Sequence, residues 1–184
     1  MSRPHVPIMR ARLELDRTLR TRAFFNRASR GQLVDEEYAG LLAQVSHFLE
    51  ALEPGSKDLL DLAAADLGSE RRGPPCAAIR LATPIFRGLE PREIGLRAGL
   101  TIAGTSWAED TARAIRGSLG TSLLGALPRQ GRESLARLEQ GMADGTFDPD
   151  VVLGLVEIGR GVVLGIATHL DAEWPPPVFE LRRD

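Results

Sequence analysis

Lysine is almost missing from this chain: Lys57 stands alone, so nearly all of the positive charge is arginine. With the abundance of alanine and glycine, this reads as coding bias rather than mechanism. Cysteine is equally scarce. A lone Cys76 excludes an internal disulfide framework and a cluster of thiolate metal ligands. The net charge of −2 shows no basic excess, so there is no electrostatic reason to expect nucleic acid as a partner. The opening MSRPHVPIMRAR lacks an apolar core long enough for a secretory signal, and a cytoplasmic protein is the expectation. No stretch alternates apolar and polar residues as a half-buried strand would. A clean membrane span is lacking too. Val151–Leu170 is long enough, but Glu157 and Arg160 sit in its middle, where an ionised group costs about 2.5–3.5 kcal/mol. Spaced i,i+3, the two can pair on one face, and a buried core helix is expected instead.

What is present suits one all-α domain. At 184 residues and 43% hydrophobic content, the chain can bury a sizeable core. Residues 1–9, with two prolines, read as a flexible arm, 10–172 as the helical domain, and 173–184 as a proline-rich tail. Helical spacing predicts a bundle of about seven helices. The first runs from Arg10 to about Arg30 and ends at Gly31. The second opens on Asp35-Glu36-Glu37, carboxylates that suit a helix N-terminus, and runs to Leu52. Pro54-Gly55 stops it and Ser56 caps the short Lys57–Leu67 helix. Residues 68–75 read as a loop, and Ala77–Leu89 as a helix that Pro84 should kink or break. Glu90-Pro91 starts the central segment. Glycine-dotted connections at Gly117–Gly125 and Pro128 precede an amphipathic helix over Gln130–Ala143. Asp148-Pro149-Asp150 opens the last helix, where Gly154, Gly161 and Gly165 leave room for a neighbouring helix or a second copy, a homodimer. Trp174 and Phe179 are expected to tuck back onto the body or another subunit.

The centre of interest is Gly95–Gly117, interrupted by Gly104-Thr105-Ser106-Trp107-Ala108-Glu109-Asp110. Small and polar residues in a buried helix imply that something approaches the backbone closely, either another helix or a ligand. The ligand is the expectation carried forward. Thr105 and Ser106 can orient it and Trp107 can stack on it; otherwise the hydroxyls bond back to the backbone and Trp107 fills core. Glu109 and Asp110 can do acid–base work if buried, or pair with Arg113 and neighbouring arginines. The first-helix arginines Arg12, Arg17, Arg20 and Arg22 can hold ligand carboxylates or face solvent. His47 and Glu50, at i,i+3, can share a metal that His169 completes; the alternative is ordinary surface histidines.

Three features together resemble the heme-oxygenase-like superfamily, which includes heme oxygenases, TenA-type thiaminases, PqqC-type oxidases and non-heme diiron oxidases. They are Phe24-Phe25-Asn26-Arg27-Ala28-Ser29-Arg30-Gly31-Gln32-Leu33 followed by Asp35-Glu36-Glu37-Tyr38, the glycine- and serine-bearing Ile102–Arg116, and a long final helix after an acidic-proline turn. The resemblance spans about residues 10–172. It implies a tetrapyrrole (heme or bilin) or similar flat apolar ligand between the first and distal helices, against Phe25, Asn26, Thr105, Ser106, Trp107, Glu109 and Asp110. Heme is the cofactor implied. The chain departs from the family where chemistry is done. Between Arg10 and Arg30 there is no proximal histidine, and Glu109-Asp110 replace the glycine pair that faces heme. For diiron chemistry, the third helix offers Asp61 and Asp66 without a histidine, and Ala103 stands where a glutamate is expected. Cys76, in a proline-rich turn, does not support the thiaminase nucleophile. The resemblance therefore implies a ligand-binding member; an interaction module and an iron oxidase with a rebuilt site are the alternatives.

Overall fold

A computed structural model describes residues 5–52, 55–68, 73–89, 92–117 and 119–176. The described residues form nine α-helices and no strand: α1 (His5–Thr21), α2 (Ala23–Ala28), α3 (Asp35–Ala51), α4 (Lys57–Leu67), α5 (Ala77–Arg87), α6 (Arg92–Ala103), α7 (Ser106–Ala114), α8 (Ser122–Ala143) and α9 (Pro149–Glu173). The all-α single domain expected from the sequence is what the structure shows. The additional helices arise because two long ones are broken. Arg22 adopts an extended ψ of 134° and divides α1 from α2, and Gly104-Thr105 divides α6 from α7.

Helix α6 is the centre of the bundle, buried almost continuously from Ile94 to Ala103 between α8 and α9. Its glycines explain how the three helices come so close. A Cβ on Gly104 would sit 2.7 Å from Cα of Gly131 on α8 and would strike the Leu127 carbonyl. On the other side, Gly159 of α9 lies against Ile102 and Gly99. The close approach demanded by the glycine-rich break is thus made by another helix.

Other expectations need correcting. Residues 5–9, expected in the arm, form the first turns of α1, with Ile8 fully buried and Pro7 where a missing N–H does little harm. The expected connection around Gly125 and Pro128 is helical; α8 begins at Ser122 and runs through the proline. Helix α5 likewise continues past Pro84 to Arg87. Ser56 precedes α4, but its hydroxyl donates to the Leu49 carbonyl (2.7 Å) instead of capping. Asp148 does cap α9, accepting from the Asp150 amide at 2.8 Å. Pro54, Ser69–Arg72, Glu90-Pro91 and the tail from residue 177 on, Phe179 included, lie outside the described residues.

Helix α9 packs one face on α1, α5 and α6, burying Val152, Val156, Val163, Ile166 and Leu170. Among the described residues it is the one helix long and apolar enough to cross a membrane, by length and composition alone. Glu157 and Arg160 pair on its outer side at 2.6 Å, and Arg160 reaches Glu14 of α1. Of its small residues, Gly165 touches Ala78 of α5, whereas Gly154 and Gly161 face open space. Trp174 ends the helix and tucks back, its ring over Gly40 and 6.0 Å from that of Phe24.

Candidate ligand groove

Every helix has unpaired N–H groups at its start that must find acceptors. None of α2, α7 and α8 has a capping side chain of its own, and each receives a carboxylate from another helix. Asp171 of α9 accepts from the Phe24 amide at 2.7 Å. Buried Asp66 of α4 accepts from the Leu123 amide at 2.7 Å. Asp16 of α1 accepts from the Ser106 and Trp107 amides, both at 3.4 Å. Tyr38 supports the α8 start by donating to the Gly120 carbonyl at 3.0 Å; burial first, then Asp66, raises its phenol pKa and keeps it a donor. Asp66 is therefore a helix cap.

The break between α6 and α7 sends its side chains to two sides with different outcomes. On the α2 side, Trp107 meets Phe25 edge to face, centroids 5.2 Å apart, and both rings are buried. The space left among Asp16, Leu19, Phe25, Trp107 and Thr111 is about 10 Å³. That is room for roughly one water and no ligand. Arg20 reaches Asp110 at 2.9 Å over this contact, and Glu109 pairs with Arg113 one turn on. Both carboxylates are paired with arginine, so the acid–base role expected if they were buried finds no footing. Asn26 stays in the α1–α2 corner, donating to the Arg20 carbonyl at 3.3 Å.

On the other side, the same break floors an open groove of about 390 Å³ between α1, α7 and α8. Met9, Arg12, Leu13 and Asp16 of α1 form one wall; Pro128, Arg132 and Leu135 of α8 form the other. Gly104, Thr105, Ser106 and Glu109 lie along the base. Met9 and Leu13 are exposed at 38% and 63%, unusual for large apolar side chains. Thr105 is 1% exposed, yet its hydroxyl has no hydrogen-bond partner. Such an orphan costs about 1–3 kcal/mol in the absence of a partner. Arg12 donates to the Gly104 carbonyl at 3.3 Å, and burial lowers its pKa, with Asp16, Arg132 and Glu139 close enough to act on it.

Three of the expected ligand residues, Thr105, Ser106 and Glu109, thus meet at the groove; Phe25, Trp107 and Asp110 belong to the closed side, and Asn26 to neither. The structure adds Met9, Leu13, Pro128, Arg132 and Leu135. A signal for the first two was present: Ile8, Leu15 and Leu19 make one apolar stripe on α1, and Val6, Met9 and Leu13 make a second on another face.

The expected alternative metal set does not assemble. His47 faces Glu50 at 3.1 Å and the Gly73 carbonyl at 2.7 Å, where with Gln44 it fastens residues 73–76 to α3. His169 faces Glu173 at 3.2 Å. Among the described residues, no group of three or more His, Cys, Asp or Glu side chains is placed to hold a metal. A second groove of about 490 Å³ between α3 and α9 is rimmed by Glu36, His169 and Glu173 and contains no orphaned buried polar atom.

Compared with known proteins, the chain matches no family model, no curated protein and no solved structure.

Proposed function

We propose that this chain binds a small apolar ligand in the groove between α1, α7 and α8. One observation carries the reading: exposed Met9 and Leu13 face Leu135 and Pro128 across an open cleft whose base holds a buried, unpartnered hydroxyl. Binding sites combine an apolar lining with a few such polar groups, and about 300–1,000 Å³ is their usual size. A tetrapyrrole or similarly flat molecule is the class that the resemblance to heme-oxygenase-like proteins names. The residues present do not fit an iron-ligated heme. No histidine lies between Arg10 and Arg30, and no His or Cys lines the groove. A tetrapyrrole here is held by its faces and carboxylates, as a bilin would be. A cytoplasmic location accompanies this reading.

A second reading is an interaction module, with the Val6-Met9-Leu13 stripe pressed against a partner protein or a second copy. Titration with biliverdin separates the two. The groove reading predicts a saturable spectral change at one equivalent, with affinity falling about tenfold or more in Leu13→Glu, which deletes exposed apolar contact without touching the core. No saturable change in the unaltered protein sinks the ligand reading and leaves the interaction module.

A further inference from the structure

Resting on the groove reading, we infer that its ligand is an apolar carboxylate, whose anionic group is held by Arg12, Arg132 and the Thr105 hydroxyl. The apolar body then lies against Met9, Leu13, Pro128 and Leu135.

The two helix walls place like residues opposite one another. Met9, Arg12, Leu13 and Asp16 share one face of α1, and Pro128, Arg132 and Leu135, at i, i+4 and i+7, share one face of α8. Each wall therefore brings one arginine between apolar side chains. The Gly104–Gly131 crossing draws the walls together at this point, since Arg12 bonds to the Gly104 carbonyl and Arg132 follows Gly131 in α8. Among the described residues Arg132 has no hydrogen bond or ion pair, so its guanidinium fork is uncommitted. Two arginines facing one cleft repel each other unless an anion lies between them.

Of the carboxylates nearby, Asp16 lines the groove and acts on Arg12 more strongly than Arg132 does, which leaves Arg132 as the arginine free for a ligand. Asp16 accepts from the first amides of α7, and Glu109 pairs with Arg113. Glu139 acts on Arg12 from the next turns of α8 without lining the groove. Thr105 gives the second, independent pointer. The residue lines the groove, and its hydroxyl, buried just beneath, has no hydrogen-bond partner. An incoming carboxylate oxygen supplies the acceptor it lacks, and guanidinium–carboxylate bonds are the stronger, charge-assisted kind. A cationic or neutral apolar ligand offers none of this.

The test compares three fluorescent probes with the same rings and different head groups: naphthoate, naphthylmethanol and naphthylmethylamine. Naphthoate is expected to bind about tenfold tighter than either of the others, the effect of one charge-assisted bond. In Arg132→Gln, an exposed substitution that leaves folding intact, that preference disappears, and naphthoate falls to the level of the alcohol. Thr105→Val, of the same shape, loses part of the preference and keeps affinity for naphthylmethanol. Equal binding of all three probes, or tightest binding of the amine, overturns the carboxylate assignment while leaving the groove reading standing. Binding of none of them overturns both. Far-UV circular dichroism on each variant shows that a lost preference is not lost structure.

Discussion

The two sides of the α6–α7 break start from the same seven residues and end differently. Toward α2, Trp107 and Phe25 fill the space between them so fully that about 10 Å³ remains, and the open cleft of about 390 Å³ beside them is lined by polar Arg20, Ser29, Asp110 and Arg113; toward α8, an equal volume opens between apolar walls. The break itself makes neither a pocket nor a plug. Its side chains decide, a large ring on one side and small hydroxyls on the other, while Gly104 fixes the backbone by admitting Gly131. Each side keeps one buried polar atom without a partner, the Trp107 indole N–H and the Thr105 hydroxyl, but the closed side contributes packing energy while the open side leaves apolar surface in reach of a ligand.

The sharpest way to break this contrast is Trp107→Ala, which makes the closed side resemble the open one. Removing a buried ring costs about 3–5 kcal/mol. In a domain of this size each kcal/mol lowers Tm by roughly 2–4 °C, so calorimetry should show a large fall. The cavity left is apolar, and the variant should regain part of that Tm in saturating benzene, which the unaltered protein does not.

Gly104→Ala attacks what the two sides share. A methyl group there meets the backbone of α8, which cannot rotate away, and about 1–3 kcal/mol should be lost in urea unfolding. The measured slope should stay unchanged, since the same surface is exposed on unfolding. A cost near zero would mean that α6 and α8 are not in backbone contact.

Much of this was legible in the sequence, for local reasons. Asp148-Pro149-Asp150 announces a helix start because cap, proline and first-turn acid act within a few residues, and the structure has that cap. Glu157 and Arg160 pair as their spacing requires. The glycine of the break announces a close approach, but what approaches is Gly131, whose own neighbours give no hint that it faces Gly104. The three donated caps were illegible for the same reason. Asp16, Asp66 and Asp171 serve helices far from them in sequence, and no periodicity records that. The α1–α2 break is another case: Arg22 is an unremarkable residue locally, and the corner is held by Asp171 on the Phe24 amide and by Arg27, which pairs with Glu37 at 2.6 Å and donates to the Trp174 carbonyl. At the candidate site, the polar residues were found because they are conspicuous in a core helix. Their apolar partners across the cleft are recorded only in the second α1 stripe of Val6, Met9 and Leu13, and which of two stripes stays uncovered is decided by distant helices.

A smaller effect sharpens the comparison from the α1 side. Asp16 borders both spaces and holds the start of α7. Asp16→Ala should cost about 0.5–2 kcal/mol, the usual cost of a lost helix cap. Hydrogen exchange should quicken at the Ser106 and Trp107 amides and leave α9 untouched.

The most direct test of the central claim is which side of the break responds to a ligand. In an NMR titration of methyl- and indole-labelled protein with biliverdin, the account predicts that Met9, Leu13 and Leu135 methyl signals shift and saturate together while the Trp107 indole N–H stays in place. A shift of the Trp107 indole with the groove methyls unmoved would contradict it, placing the ligand between α2 and α7 and making the Phe25–Trp107 contact a gate instead of a plug.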